Sequence, residues 1–145
     1  MSYILDSNIL LRMVQVSHSM HVEATQATTA LLRRGETIHI IPQCFYEFWS
    51  VATREVQFNG LGLSITDAQA ELARLKTIFS FLSDSPAIYP EWERLVTQYS
   101  VKGRDSHDTR IVAAMNVHRI THLLTFNKDD FKRFPSITVL LPSEL

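Results

Sequence analysis

Cysteine is nearly missing from this sequence, with Cys44 alone among 145 residues. A single cysteine excludes an internal disulfide and the zinc sites that need several thiolates. Glycine and proline are scarce as well, at four and five residues, and no glycine-rich loop of the phosphate-binding type occurs. No apolar run approaches the roughly 18 residues of a membrane span. We therefore expect no membrane contact and a reducing, cytoplasmic setting.

An excess of charge is absent too, because 14 basic and 15 acidic residues leave a net charge of −1. Such a balance does not call for nucleic acid or a membrane surface, although a local basic surface remains open. Hydrophobic residues make up 46% and charged residues 20%, the usual proportions of a globular protein. An acid at Asp6 does not fit the apolar segment of a secretory signal peptide. The length suits a single domain over residues 1–145.

Short apolar runs alternate with amphipathic segments along the chain. The runs predict strands at residues 3–5, 37–41, 86–90, 121–126 and 137–141. The amphipathic segments predict helices after residue 6 and at residues 17–35, 43–58, 66–82, 91–100, 106–119 and 127–134. Thr66 and Gln69 have the spacing of a capping box. We predict an α/β fold: a three-layer α/β/α sandwich around a parallel sheet of about five strands, with right-handed crossovers.

Acidic side chains are predicted to gather at one edge of this sheet. Asp6 ends the first strand, and Glu47 lies about one turn into the helix after the second. Asp108 begins the helix that leads to the fourth strand, and Asp130 follows that strand. Ligands bind at this edge, where strand carboxyl ends meet helix N-termini. Crowded carboxylates would repel each other unless a cation neutralised them, and oxygen ligands select hard ions such as Mg²⁺ or Mn²⁺.

Each acid also has an ordinary structural explanation. Asp6 could cap a helix or form an Asx turn, and Glu47 could face solvent. Asp108 could simply complement the dipole of its helix. Asp129 points about 100° away from Asp130 on a helix and is expected to face solvent.

Other combinations of reactive residues are weaker. His18 and His21 have i, i+3 spacing but no further ligand nearby in the sequence, which disfavours zinc. Cys44 and His107 form no recognisable nucleophile pair. The motif "DSN" at Asp6 has Asn where a D-x-D phosphatase would carry its second acid.

Four short motifs, taken in order, resemble the PIN-domain ribonucleases, and in particular the VapC-like toxins of toxin–antitoxin pairs. "ILDSNILL" is similar to their opening strand with its first metal-binding acid, here Asp6. "QCFYEFW" and "HDTRIVAAM" are similar to the segments that carry the next two acids, here Glu47 and Asp108. "HLLTFNKDDFKRF" is similar to the closing strand and the acidic turn after it. Asp105 matches no family position and is expected to cap its helix.

The resemblance implies metal-dependent hydrolysis of phosphodiester bonds in single-stranded RNA. It implies that Asp6, Glu47 and Asp108 are catalytic and hold one or two Mg²⁺ or Mn²⁺ ions. Asn127 stands where the family often has a further acid, so Asp130 is the candidate for a fourth ligand. Candidates for supporting the ligands or binding phosphate are Ser7, Asn8, Thr125 and Asn127.

The resemblance also implies an antitoxin partner and a homodimer. The helix of Glu47 carries more aromatic residues than one core stripe readily hides, which predicts a protein interface at Phe45, Tyr46, Phe48 and Trp49. Between residues 102 and 133, seven basic residues against four acids predict a basic rim for a phosphate backbone. The alternative is a non-catalytic PIN-like module that binds RNA or protein, its site weakened at Asn127.

Overall fold

Five parallel strands form one sheet in the computed structural model, which describes residues 1–145. The strands are β1 (Ser2–Leu5), β2 (Thr37–Ile40), β3 (Ser80–Phe81), β4 (His122–Leu124) and β5 (Thr138–Leu140). Their order across the sheet is β3-β2-β1-β4-β5. The central position of β1 explains its sequence, because a strand covered on both faces needs an unbroken apolar run. Ile4 and Leu5 are accordingly fully buried.

Six helices cover the sheet and complete the predicted three-layer α/β/α architecture. They are α1 (Ser7–Val14), α2 (His21–Arg33), α3 (Pro42–Thr53), α4 (Ile65–Ile78), α5 (Ile88–Gln98) and α6 (Asp105–His118). Helix α1 packs against α2 and α3, and α5 packs against α6. None of the helices is long and apolar enough to cross a membrane.

The sheet changes direction of growth at β1. From β1 the chain adds β2 and β3 on one side, and then crosses to add β4 and β5 on the other. In the register of the sheet, Ile4 lies between His39 of β2 and Leu123 of β4. The switch point of the sheet lies between β1 and β4, and ligands bind in the crevice at the carboxyl ends of the strands at such points. Asp6 and Thr125 are the first residues beyond these two strands.

The predicted third strand was wrong. Residues 86–90 include the first turn of α5, where Pro90 is tolerated because its missing N–H has no helical partner there. The strand lies earlier, at Ser80–Phe81, in the segment predicted to end the helix at 66–82. Phe79 ends that helix by adopting extended dihedrals, φ −116° and ψ 154°. Pairing of two residues with β2 decides this strand, and local periodicity does not record such pairing.

Helix boundaries also differ from prediction: α2 begins at His21 rather than at residue 17, and α5 begins at Ile88 rather than at residue 91. Helix α3 ends at Thr53 rather than at residue 58. The chain folds back so closely that a Cβ on Gly60 would lie 2.0 Å from the Arg54 carbonyl oxygen. Helix α4 begins after Ser64, whose hydroxyl accepts the Asp67 N–H at 3.0 Å. The capping box predicted at Thr66 and Gln69 is therefore not the cap that forms.

Candidate functional site

Asp6 is a buried carboxylate at the switch point of the sheet. It follows β1, is 5% exposed, and caps α1 by accepting the Ser7 N–H at 2.7 Å. Its other oxygen, Oδ2, accepts the Thr125 hydroxyl at 2.9 Å across the crevice from β4. The structural explanation of Asp6 as a cap is thus confirmed. The same side chain is also held against the end of the neighbouring strand.

Asn8 and Thr125 complete a hydrogen-bonded lattice around this carboxylate. The Asn8 Nδ2 donates to Thr125 Oγ1 at 3.1 Å and to Asp6 Oδ2 at 3.4 Å. The side-chain oxygen of Asn8, Oδ1, accepts the Phe126 N–H at 3.1 Å. Thr125 Oγ1 accepts the Asn127 N–H at 3.0 Å. Thr125 therefore has one proton to donate, and that proton points to Asp6. The lattice fixes both the position of Asp6 and the loop that follows β4.

Glu47 approaches the crevice from the second turn of α3. Its Oε2 accepts the Ser7 hydroxyl at 3.3 Å, so a residue next to Asp6 also contacts Glu47. Its Oε1 accepts the amide of Gln43 at 2.9 Å. Glu47 is half-buried rather than fully turned to solvent. Ser7 thus links the two acids, with its N–H donated to Asp6 and its hydroxyl to Glu47.

Gln43 is a site residue that the sequence analysis did not identify. It is 7% exposed, and its Nε2 donates both to Glu47 and, at 2.6 Å, to the carbonyl of His107. Its Oε1 accepts Arg110 Nη1 at 3.2 Å. The amide thus ties α3 to the first turn of α6, where Asp108 follows His107. The i, i+4 spacing of Gln43 and Glu47 was the available signal, but the partner on α6 is 64 residues away.

Asp108 lies half-buried in the first turn of α6 and faces the other acids. Burial first, and then the negative charges of neighbouring carboxylates, raise the pKa of Asp108 to about 7. Those neighbours, in decreasing order of effect, are Asp6, Asp130, Glu47 and Asp105. Burial, with Glu47 as the charged neighbour, likewise raises the pKa of Asp6 to about 6, although the Thr125 hydroxyl bond opposes the shift. Segments far apart in sequence therefore converge on one negative crevice.

The turn after β4 supplies the outermost part of the site. Lys128–Phe131 form a 3-10 turn that begins at Asn127, whose side chain makes no capping hydrogen bond. Asp129 and Asp130 are both exposed. The exposure of Asp129 agrees with its predicted position. The exposed Asp130 is nevertheless close enough to raise the pKa of Asp108.

A hard divalent cation fits this donor set by its chemistry. The acidic side chains of the crevice offer oxygen ligands, and Asp6 and Asp108 repel each other and Glu47 when charged. A bound cation would relieve that repulsion. As the side chains stand, no three His, Cys, Asp or Glu residues are gathered closely enough to hold one ion. Binding of one ion by three of these carboxylates would therefore require their side chains to move closer together.

Asp105 does not cap α6 as predicted. Arg104 occupies the capping position without a side-chain hydrogen bond, and Asp105 instead pairs with Arg133 at 3.3 Å. Both partners are partly exposed, and ion pairs of this kind stabilise a fold by about 0–1 kcal/mol.

The structure supports neither a zinc site at His18 and His21 nor a nucleophilic role for Cys44. The Nδ1 atoms of His18 and His21 are each hydrogen-bonded to the backbone, at 3.0 and 2.9 Å. Cys44 is fully buried, and burial raises the pKa of its thiol, which removes the thiolate that a nucleophile requires.

The predicted basic rim is smaller than its sequence count. Three of its seven members are paired with acids: Arg110 with Asp84, Lys128 with Glu144 and Arg133 with Asp105. Arg119 lies at the C-terminal end of α6, away from the acids at the other end. The exposed members left near the crevice are Lys102, Arg104 and Lys132. Counting charges along the chain could not reveal these ion pairs, because the partners come from distant segments.

Comparisons with solved structures give the same fold over nearly the whole chain. VapBC2 from Rickettsia felis, bound to a DNA fragment from its promoter, has a TM-score of 0.72 at 18% identity, covering 97% of this chain and 98% of that one. VapBC-1 from nontypeable Haemophilus influenzae has a TM-score of 0.73 at 13% identity, covering 99% of each chain. VapC20 from Mycobacterium tuberculosis, a sarcin–ricin loop cleaving toxin, has a TM-score of 0.66 at 17% identity, covering 91% and 95%. Identities this low establish the fold alone.

Family membership rests on the sequence itself. Among curated proteins, none is similar enough in sequence to count as a match. Residues 3–137, however, match the family described as PIN domain, and this range contains every acid of the crevice. On this match the resemblance found in the four motifs is confirmed, and the chain belongs to the PIN domain family.

Proposed function

We propose that the protein is a Mg²⁺- or Mn²⁺-dependent endoribonuclease that hydrolyses phosphodiester bonds of single-stranded RNA. The observation that carries this proposal is the convergence of Asp6, Glu47 and Asp108 on the crevice at the switch point. Two of these acids have raised pKa values, about 6 for Asp6 and about 7 for Asp108. A fold without need of a ligand has no reason to collect such charges, because their repulsion destabilises it.

The residues take separate parts in this mechanism. Asp6 and Asp108 would hold the cation, and Asp130 is the proposed fourth carboxylate. A divalent cation held by these acids would supply a water molecule of lowered pKa and a counter-charge for the phosphate. Glu47, anchored through Gln43, would serve as a further ligand, or would orient the attacking water and accept its proton.

The polar neighbours support these groups. Thr125 fixes Asp6 through its hydroxyl proton, and Asn8 fixes Thr125. The exposed amide of Asn127 is available to a phosphate oxygen, and Ser7 spans Asp6 and Glu47. Lys102 and Arg104, exposed just before α6, would contact the RNA backbone.

We further propose that the protein is the toxin of a toxin–antitoxin pair, acting in the cytoplasm. The similar structures include VapBC complexes from Rickettsia felis and Haemophilus influenzae, and a toxin that cleaves the sarcin–ricin loop. A homodimer is also proposed. The aromatic argument for it is weaker than predicted, because Phe45 and Phe48 are buried and only Tyr46 and part of Trp49 reach the surface.

Cleavage of a labelled single-stranded RNA tests the proposed activity. The protein should cut this RNA when Mg²⁺ or Mn²⁺ is present, and EDTA should stop the cleavage. The Asp6→Asn variant should cut about a thousandfold more slowly than the parent. Asp67→Asn, on the exposed first turn of α4, is the matched control and should cut like the parent. Cleavage that survives Asp6→Asn would disprove the mechanism.

The rival function is a PIN-like module that binds RNA or protein without cutting. It predicts metal-independent RNA binding and no cleavage by the parent protein at any Mg²⁺ or Mn²⁺ concentration. The same assay, with binding measured in parallel, separates the two.

A further inference from the structure

An aromatic groove, formed by α3, α4 and β3, lies beside the acidic crevice and has no part in the mechanism above. It encloses about 550 Å³. The residues that matter for its chemistry are Phe45, Tyr46, Trp49, Lys76, Phe81 and Asp84. Tyr46 is 67% exposed and Phe81 is 43% exposed, although both are large and apolar. Exposed aromatic rings that line a cavity are available to stack on a ligand.

The groove is continuous with the acidic crevice. A second cavity of about 490 Å³ contains Glu47 and His107, and Tyr46 lines both cavities. The opposite wall is joined in the same way, because Asp84 of the groove pairs with Arg110 of the second cavity at 3.1 Å. Tyr46 therefore stands between the groove and the cavity that contains Glu47.

The charge in the groove favours a nucleotide over an apolar protein segment. The Lys76 ammonium lies over the rings of Phe45 and Phe81, 5.9 and 5.7 Å from their centroids, and has no acidic partner. An apolar segment laid on it would bury this cation with no free counter-charge, because Asp84 already pairs with Arg110, and such burial is costly. The phosphate of a nucleotide supplies that counter-charge. Aromatic rings beside a free cation are the usual means of binding single-stranded nucleic acid, since every base has a face that stacks.

We propose that this groove binds one unpaired nucleobase of the RNA, next to the phosphate that lies at the acids. The base stacks on Tyr46, and Lys76 contacts the adjoining phosphate. The inference rests on the proposed function for its ligand. It assigns to the groove a base-binding subsite that contributes to affinity and to the choice of cleavage position.

Binding, rather than cleavage, tests the subsite. Two fluorescent oligomers of equal length and charge are compared by anisotropy in Ca²⁺: a ten-nucleotide RNA, and the same RNA with its bases removed. The parent should prefer the RNA with bases by about tenfold. Tyr46→Ala should lose most of this preference, and Tyr46→Phe should keep it because the ring still stacks. Tyr89→Ala is the matched control, since Tyr89 is 64% exposed on α5 and lines neither the groove nor the cavity at Glu47.

The lysine provides a second, independent readout. Lys76→Gln should weaken both oligomers alike and lower the salt dependence of binding by about one counter-ion. Circular dichroism melts of the variants show whether each remains folded, and the exposed positions of Tyr46 and Lys76 make loss of folding a small risk.

The outcomes separate this proposal from the proposed function. Equal binding of both oligomers by the parent, or a preference unchanged in Tyr46→Ala, overturns the subsite even if the protein cuts RNA. A preference that depends on Tyr46 in a protein that cuts nothing supports the subsite and overturns the nuclease. If Tyr46→Ala changes the mass in light scattering but not the preference, the groove is a protein interface and the subsite is wrong.

Discussion

The two ends of the acidic crevice are built in opposite ways. At the buried end, Asp6 is 5% exposed, and its oxygens accept hydrogen bonds from Ser7 and Thr125. At the exposed end, Asp130 lies on a 3-10 turn, open to solvent and without a hydrogen bond to its side chain. Burial and hydrogen bonds fix a carboxylate before any ligand arrives. An exposed carboxylate can adapt to the ligand but pays for its ordering on binding. The buried end should therefore dominate both activity and the pH dependence of stability.

Removing the hydroxyl that holds Asp6 tests the buried end most directly. Thr125→Val keeps the volume of a fully buried residue but deletes the donor to Asp6 and the acceptor for Asn8. We expect activity to fall by about 10- to 100-fold. Stability should fall by about 1–3 kcal/mol, because buried polar groups lose their partner. Activity assays and urea melts measure the two.

The control for that substitution is Thr28→Val. Thr28 is equally buried, but its hydroxyl donates only to carbonyls of its own helix, at 3.1 and 3.0 Å. It should lose little activity. If the two variants have the same activity, Thr125 has no special part in the site.

Substitution of Gln43, whose amide joins α3 to α6, should have the next largest effect. Gln43→Leu removes the hydrogen bonds to Glu47 and to the His107 carbonyl. We expect about a tenfold loss of activity, with a higher Mn²⁺ concentration needed for half-maximal rate, since outer partners orient ligands. Gln98→Leu, an exposed change on α5, is the control. A Mn²⁺ requirement that does not move in Gln43→Leu would exclude a positioning role.

The raised pKa values predict that the metal-free protein loses stability as pH rises. Asp6 binds its proton more tightly in the folded protein, where its pKa is about 6, than in the unfolded chain, where its pKa is about 4. Its contribution to the stability of the fold is therefore complete below pH 4 and is lost as the pH rises through about 6. Asp108 extends the loss through about pH 7. The melting temperature in EDTA should therefore fall between pH 4.5 and pH 8. With Mn²⁺ present, the melting temperature should fall less over the same range.

Asp6→Asn sharpens this comparison. The variant removes the charge of a nearly fully buried group, so metal-free stability at pH 8 should rise by up to about 3 kcal/mol while activity is lost. An Asp6→Asn variant with an unchanged pH dependence would show that the charge of Asp6 is not what destabilises the fold.

The smallest effect is expected at the exposed end. Asp130→Ala should raise the Mn²⁺ concentration needed for activity by about two- to fivefold, because solvent screens an exposed charge. Asp129→Ala, the neighbouring exposed acid, should not. If both variants titrate like the parent, the site works with Asp6, Glu47 and Asp108 alone.

Much of the fold could be predicted because local rules and tertiary structure agree in the centre of the sheet. The apolar run before Asp6 is unbroken because β1 is covered on both faces, and the Asp-Ser-Asn sequence after it starts a helix. Agreement failed at the edge of the sheet. Strand β3 has two residues, both exposed, so it carries no apolar pattern and exists only through its pairing with β2.

The sequence by itself determined the order of the elements and the acids that follow them, since alternating apolar periods allow few other arrangements. Only the tertiary structure decided what each side chain meets. Thr125 contacts Asp6, which is 119 residues away in the sequence, and Gln43 joins α3 to α6. Asp105 pairs with Arg133 instead of capping its helix. The physical reason is the difference in sequence separation over which these interactions act. Periodicity and capping act within a few residues, whereas hydrogen bonds and charges in the crevice depend on segments that only folding brings together.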